Sequence, residues 1–254
     1  MHICIDVGNS TIGIGVFENN VLVKRMIFNT DTRLTEDEFF LLLKKPFEDI
    51  STKVEKVIFS SVVPPINISL IGAINKLFKV APMLIANDTK TDLAIKVDNP
   101  MEIGNDLIAD LVGAKEKYGY PCLIADLGTA SKILLLDKNG AFSSCVIMPG
   151  LSLSANSLTN KAALLPEVSL EAPKTVLAKN TIEAMNAGIV FGHIDMINGL
   201  IERYEKEIGY ETKHVLTGGS AIYLKEKIGN SFIYDPHLAL DGLNILLRRN
   251  EVKL

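Results

Sequence analysis

The feature that most limits what this chain of 254 residues can fold into is a short pattern that it contains twice. Near the start, Met1-His2-Ile3-Cys4-Ile5 runs into Asp6, and Val7-Gly8-Asn9-Ser10-Thr11 follows before apolar residues resume at Ile12, Ile14 and Val16. Far downstream, Cys122-Leu123-Ile124-Ala125 runs into Asp126, followed by Leu127-Gly128-Thr129-Ala130-Ser131 and another apolar run. Each copy reads as a buried strand, an Asp-x-Gly corner with small polar side chains, and a second strand. The carboxylate of such a corner can hold a hydrated cation, its glycine lets the backbone approach a ligand, and successive N–H groups can cup an anion. A single copy would be no more than a β-turn with Asp and Gly in ordinary turn roles. Two copies, with the aspartate in the same place, point to a paired polyphosphate site.

Both copies continue alike. Ile12 to Phe17 and Val21 to Phe28 read as strands joined at Glu18-Asn19-Asn20, where asparagine tolerates positive φ. Strands near Ile133 to Asp137 and Phe142 to Ile147 repeat that meander, with Lys138-Asn139-Gly140 as the turn. Thr35 reads as the N-cap of a helix with Glu36, Asp37 and Glu38 in its first turn. Val54 to Val63 reads as a strand stopped by Pro64-Pro65, and Ile66 to Val80 as an amphipathic helix, whereas Met83 to Val97 carries no clear period. Gly104-Asn105-Asp106 opens a helix that ends near Tyr118-Gly119, and Pro149-Gly150 opens another. Asn180 with Glu183 has capping-box spacing at the head of a long helix, in which Gly188 and Gly192 would allow another helix to pack very closely. His214 to Leu216 enters Thr217-Gly218-Gly219-Ser220, a third strand-to-glycine loop that opens a helix, and Ala239 to Arg248 reads as the last helix. Duplicated strand, meander and helix predict an α/β chain of two ribonuclease H-like domains with an interdomain cleft, the class of actin, sugar kinases and chaperone ATPases. The expected halves are 1–115 and 116–254.

Composition removes other classes. The net charge is −4, with no Lys/Arg cluster on the scale of a nucleic-acid footprint. Asp6 interrupts any apolar leader, and no apolar run is long enough to cross a bilayer. Cys4, Cys122 and Cys145 lie far apart without metal-ligand spacing, which fits a reducing cytoplasm and neither a disulfide framework nor a zinc site. The expected partner is a small molecule, with no nucleic acid and no membrane. There is no Walker A sequence and no protein-kinase glycine loop, so a bound nucleotide would have to use the two corners. Thr217-Gly218-Gly219 either admits a base or ribose against bare backbone or is only a tight turn.

With these residues in hand, the chain resembles the type III pantothenate kinases over nearly its whole length. The matching stretches are Asp6-Val-Gly-Asn-Ser, Ser60-Ser-Val-Val-Pro-Pro, Asp98-Asn-Pro with Glu102-Ile-Gly-Asn-Asp106, Asp126-Leu-Gly-Thr-Ala, Met148-Pro-Gly, Leu165-Pro, Lys179-Asn-Thr-Ile-Glu-Ala-Met185 with Gly188, and Thr217-Gly-Gly. The resemblance implies ATP-dependent phosphorylation of pantothenate, the first step towards coenzyme A. It implies that Asp6, Val7, Gly8, Asn9, Ser10, Thr11, Ile12 and Gly13 hold the ATP phosphates, with further ATP contacts from Thr129, Gly218 and Gly219. Asp106 matches the general base, Asp126 the position that binds a monovalent cation (K+ or NH4+), and Asp6 is the expected Mg2+ ligand. Gly104, Asn105, Asp106 and Leu107 form the substrate segment, and Thr181 matches a substrate contact made across the interface of a homodimer.

The resemblance has gaps on the acceptor side. Leu107 stands where the family carries arginine, Val97 where it carries tyrosine, Ser144-Cys145 where it carries Gly-Gly, Ala162 where it carries threonine, and Lys132 where it usually carries a second hydroxyl. An arginine fork suits a substrate carboxylate, and leucine donates nothing. Alternatives to pantothenate phosphorylation are therefore a kinase of the same fold with another small hydroxylated acceptor, or a nucleotide-binding regulator without turnover. Lys132 is expected to place a cation against a phosphate beside the second corner.

Overall fold

The computed structural model describes residues 1–86, 88–161, 165–229 and 231–250, so Ala162 lies outside the described residues. The chain divides into two compact units. The first comprises residues 1–92, 99–113 and the chain from His237 onward. Its elements are β1 (His2–Val7), β2 (Thr11–Glu18), β3 (Val21–Asn29), α1 (Glu36–Lys44), β4 (Lys56–Ser61), α2 (Pro64–Phe78) and β5 (Met83–Leu84). Helix α3 (Asn105–Tyr118) starts in this unit and continues into the second. The second unit, residues 93–98 and 114–236, carries β6 (Cys122–Leu127), β7 (Ala130–Leu136), β8 (Phe142–Pro149), α4 (Leu151–Lys161), α5 (Thr181–Ile208), β9 (Lys213–Thr217) and β10 (Phe232–Tyr234). The last helix, α6 (Leu238–Arg249), belongs to the first unit.

The two sheets share one topology. Their orders are β3-β2-β1-β4-β5 and β8-β7-β6-β9-β10, with an antiparallel meander on one side of the central strand and parallel strands on the other. Local chemistry explains most of the elements. Asn19 and Asn20, at φ 50° and 66°, make the β2–β3 turn, and Gly140, at φ 71°, makes the β7–β8 turn. Thr35 and Glu38 form a complete capping box on α1, and Pro64 sits in the first turn of α2, where its missing N–H costs nothing. The third strand-to-glycine loop opens a 3-10 turn over Gly219–Tyr223 and not the helix predicted there, and the pair of β5 and β10 completes each sheet with only two and three residues.

Strand alternation decides which side chains meet the core. Ile3, Ile5 and Val7 pack into one cluster with Phe39 and Leu43 of α1 and Ile66, Leu70 and Ile74 of α2. Cys4 and Asp6 therefore lie on the other face of the sheet. In the second unit Leu123, Ala125 and Leu127 pack with Val190, Ile194 and Ile197 of α5, which leaves Asp126 on the opposite face. Among the described residues no helix is long and apolar enough to cross a membrane.

Close helix packing occurs where the sequence does not predict it. Nothing lies within 4 Å of a side-chain position at Gly188 or Gly192, so these glycines face open space within the chain. The close crossing is instead between α6 and α3, where a Cβ on Gly242 would overlap the carbonyl of Ala109 and one on Gly113 would come within 2.7 Å of the Leu238 carbonyl. A methyl group at residue 242 would gain about 1 kcal/mol of helix propensity but force backbone apart, an overpacking cost of roughly 3 kcal/mol or more. Gly242→Ala should thus lower the urea midpoint by an amount equivalent to about 2 kcal/mol, whereas Gly188→Ala should leave it unchanged or raise it.

Candidate active site

The first corner is held by its own backbone. The Gly8 N–H donates to the Thr11 carbonyl at 2.9 Å, Thr30 Oγ1 donates to the Gly8 carbonyl at 2.7 Å, and the Thr30 N–H donates to the Ser10 carbonyl at 3.0 Å. Asn9, Ser10 and Thr11 are exposed at its tip, while Val7 and Ile12 send their side chains into the α1/α2 core, so that only their backbone can reach a ligand. Asp6 lies opposite Gly13 across the β1–β2 pair and beside Ser60 across the β1–β4 pair. Gly13 supplies no side chain, and a Cβ there would find its nearest neighbour, the Asp6 carbonyl, only at 4.0 Å. The β2 side of the Asp6 carboxylate is therefore roomy. Ser60 is fully buried, and its Oγ has no hydrogen-bond partner among the described residues. Its place beside the strand-end aspartate was hidden in the sequence, because only the parallel register brings the two together.

Asp106 belongs to the same unit. It sits in the first turn of α3, where an acidic side chain complements the unpaired N–H groups of the helix start. Its Oδ1 accepts from the Leu107 N–H at 2.9 Å and occupies the space that a side chain at Gly104 would need. The same position on Gly104 is 3.6 Å from Val62, whose N–H donates to the Val7 carbonyl at 3.0 Å. Gly104 thus stands near both Asp106 and Val62, and Val62 is hydrogen-bonded to the end of β1. Asn105 fixes the start of the helix by donating from Nδ2 to the Ile85 carbonyl at 3.3 Å. Leu107 is buried.

The second corner is built differently. Asp126 is almost fully buried, with Lys132 opposite it on β7 and Thr217 beside it on β9. Lys132 Nζ donates to Asp126 Oδ2 at 3.1 Å, with both side chains mostly buried. Gly218, at φ 91°, lies so close that a Cβ would come within 2.6 Å of Asp126 Oδ1 and 2.5 Å of the Leu127 backbone. Gly219 is exposed after it, and Thr129 is exposed at the corner itself. The Gly150 N–H donates to the Thr129 carbonyl at 3.2 Å. Behind the corner, Ser131 Oγ is hydrogen-bonded to His193 Nε2 at 2.8 Å, and burial holds the His193 imidazole below its ordinary pKa.

The remaining predicted positions lie apart from these corners. Thr181 is exposed in the first turn of α5. Asn180 caps that helix by accepting from the Glu183 N–H at 2.9 Å, and Glu183 accepts from the Lys179 N–H at 3.0 Å, one residue earlier than an ordinary capping box would have it. Val97 is half-buried in the segment that pairs with β8 through Lys96 N–H to Phe142 O, at 2.8 Å. Ser144 Oγ meets the Tyr204 hydroxyl at 3.0 Å, so the position expected to be bare glycine carries a side chain that is engaged.

Two metal positions are implied, and the residues treat them unequally. Among the described residues no group of three or more His, Cys, Asp or Glu side chains could hold a metal alone. A single carboxylate such as Asp6, with only a glycine facing it on β2, suits Mg2+, which takes one or two protein carboxylates and completes its shell with water and phosphate oxygens. The Asp126 carboxylate does not fit an added monovalent cation in the same way, because one oxygen already holds an ammonium and the other faces the Gly218 backbone.

Comparison with known proteins defines the class first. The chain superposes on a Campylobacter jejuni protein assigned to the Baf family of transcriptional activators with a TM-score of 0.61, at 19% identity and 98% coverage of both chains. On a Sinorhizobium meliloti protein assigned as a 2-dehydro-3-deoxygalactonokinase the TM-score is 0.58, at 10% identity, covering 98% of this chain and 97% of the other. With the doubled sheet topology, these establish the duplicated ribonuclease H-like fold. Residues 2–203 match the family model for type III pantothenate kinase, and the type III pantothenate kinase of Exiguobacterium sibiricum is 37% identical over 99% of this chain and its own full length. The chain belongs to the type III pantothenate kinase family.

The His193 contact behind the second corner has a measurable consequence. Its folded pKa lies below the ordinary 6.5, so as pH falls through 6.5 the unfolded chain takes up the proton first and stability is lost. The wild-type urea midpoint should therefore fall between pH 7.5 and pH 5.5 more steeply than that of His193→Gln. Equal slopes would show that the imidazole is not held neutral by the fold.

Proposed function

We propose that this chain transfers the γ-phosphoryl group of ATP to the primary hydroxyl of pantothenate, giving 4'-phosphopantothenate at the first step of coenzyme A synthesis. Family membership supports the reaction, and the observation that supports the residue assignment is that Asp106 opens α3 within the same unit as the first corner, with its carboxylate against Gly104. Phosphoryl transfer asks little of the protein beyond positioning and charge neutralisation. The corner from Asp6 to Gly13 holds the phosphates with backbone N–H groups, and Asp6 is the carboxylate for Mg2+, which neutralises charge on the phosphate oxygens when bound. Asp106 orients the acceptor hydroxyl and takes its proton as the oxygen bonds phosphorus and the bond to ADP breaks. Gly104 leaves room for that carboxylate, and Thr129, Gly218 and Gly219 carry the ATP contacts of the second unit.

A homodimer forms part of the same reading. Ile147, Leu153, Val176, Leu177 and Ile182 are about half or more exposed, and all belong to the stretch from β8 to the head of α5 that also presents the open Gly188 and Gly192. A second copy seated on this face would cover the apolar side chains and bring a substrate contact near Thr181. The working compartment is the cytoplasm, consistent with three widely spaced cysteines that form no disulfide. Leu107 favours one second reading, an acceptor other than pantothenate, since a buried leucine offers no fork to a carboxylate.

The tests are direct. Asp106→Asn should lower pantothenate-dependent ADP release by about 100-fold or more while ATP affinity stays within about threefold, and unchanged turnover would remove Asp106 from the role of base. Pantothenate inert in the wild type, with another alcohol phosphorylated, would favour the second reading. Gly192→Leu adds a side chain where nothing lies within 4 Å, so it should leave the protomer folded and shift its mass in light scattering from dimer to monomer. A dimer that survives that change would place the interface elsewhere.

A further inference from the structure

The two corners occupy equivalent places in equivalent sheets, so each is a control for the other. In the first unit the residue facing the strand-end aspartate across the antiparallel pair is Gly13, and in the second it is Lys132. Side chains directly opposite on neighbouring strands stand about 5 Å apart at Cβ, which is within easy reach for a lysine folding back onto a carboxylate. Lys132 does so, with Nζ 3.1 Å from Asp126 Oδ2, while Oδ1 stands 2.6 Å from where a Cβ on Gly218 would lie, so that only glycine fits there. The two side chains are 16% and 12% exposed, so the ion pair is largely withdrawn from water. A buried carboxylate needs a cation near it, and an ammonium is a compact point charge with three donors.

We propose that the Lys132 ammonium is the resident cation of the second corner. It supplies from the chain itself the charge that a bound monovalent cation would supply, so this protein works without one at Asp126. The first corner has a glycine in the facing place, and the second carries a covalently attached cation. The proposal rests on the reading of the corners as phosphoryl-transfer machinery, but its central claim concerns cation occupancy at Asp126 and is measurable without turnover. Lys132 acts through Asp126 and is a positioning residue, not a catalytic one.

The test compares the wild type with Lys132→Ser in buffers of equal ionic strength whose only monovalent cation is choline, sodium, potassium or ammonium, with Mg-ATP and pantothenate present. Wild-type turnover and melting midpoint are expected to be the same in choline and potassium, within about twofold in rate. Lys132→Ser leaves Asp126 buried without its cation, so its turnover in choline should fall by about tenfold or more and recover saturably with ammonium or potassium. Its melting midpoint should rise over the same concentrations, a selective rescue that the loss of a purely structural contact would not show. Wild-type turnover or melting that rises saturably with potassium over choline would overturn the proposal, as would a Lys132→Ser protein insensitive to every cation. Should Lys132→Ser fail to fold, thallium-205 line broadening on the wild type decides: broadening reversed by potassium shows an exogenous site and sinks the idea, and its absence upholds it. Failure of the kinase reading looks different, with no turnover in any salt while the melting and thallium measurements still report on Lys132.

Discussion

The proposed chemistry of this protein depends on where a carboxylate falls in the register of a central strand. Asp6 and Asp126 are each the next-to-last residue of the first strand of their sheet, paired antiparallel on one side and parallel on the other. Because side chains alternate, a slip of one residue would drive either carboxylate into a core of isoleucine, leucine and valine. The apolar neighbours at Ile3, Ile5 and Val7, and at Leu123, Ala125 and Leu127, therefore do two things at once. They supply the burial that holds each unit together, and they hold the aspartate on the opposite face. Even the parallel neighbour is matched in kind, with Ser60 beside Asp6 and Thr217 beside Asp126, both buried hydroxyl residues.

From this common frame the corners diverge through the residues packed on them. Around the first, glycines make space: Gly8 closes the turn and Gly13 puts no side chain opposite Asp6. Around the second, glycines remove it, since Gly218 and Gly150 bring backbone to within a distance that no side chain could share with Asp126 or with the Gly128 and Thr129 carbonyls. The same residue type thus opens one site and closes the other, and the difference lies in what stands across from it. A buried ion pair such as Lys132–Asp126 loses heavily in desolvation and repays it only when the geometry is fixed, which the cross-strand register supplies here.

Much of this was legible in the residues, and the limits have physical causes. The meanders, the capped helix after Thr35 and the proline-led helix after Ser61 each carry a local signal, and each lies within a few residues of where turn and cap chemistry places it. The strands β5 and β10 are too short to show a period, and they exist only because a longer neighbour offers a free edge. Thr217-Gly218-Gly219 looked like the start of a helix, but Gly218 is spent on approaching Asp126 and the chain makes only a 3-10 turn. Gly188 and Gly192 have the spacing of a close helix crossing, whereas the real one joins Gly113 and Gly242, far apart in sequence. The return of α6 to the first unit, and the Ser131–His193 and Lys132–Asp126 pairs, depend on tertiary neighbours that no window along the chain contains.

The departures from the family pattern fall on one side of the chemistry, and helix geometry explains how that is possible. Asp106 and Leu107 are consecutive on α3, so their side chains leave the axis about 100° apart. The first lies against Gly104, and the second is buried. On the proposed reading, a change at residue 107 alters what the helix offers to an acceptor, while the carboxylate assigned as base stays at the head of α3. In the proposed assignment, recognition and proton transfer fall to different faces of one helix. On that reading Asp6, Gly8 and Asp106 can be kept while the acceptor contacts change, because the substitution at residue 107 leaves the backbone N–H that Asp106 accepts from in place.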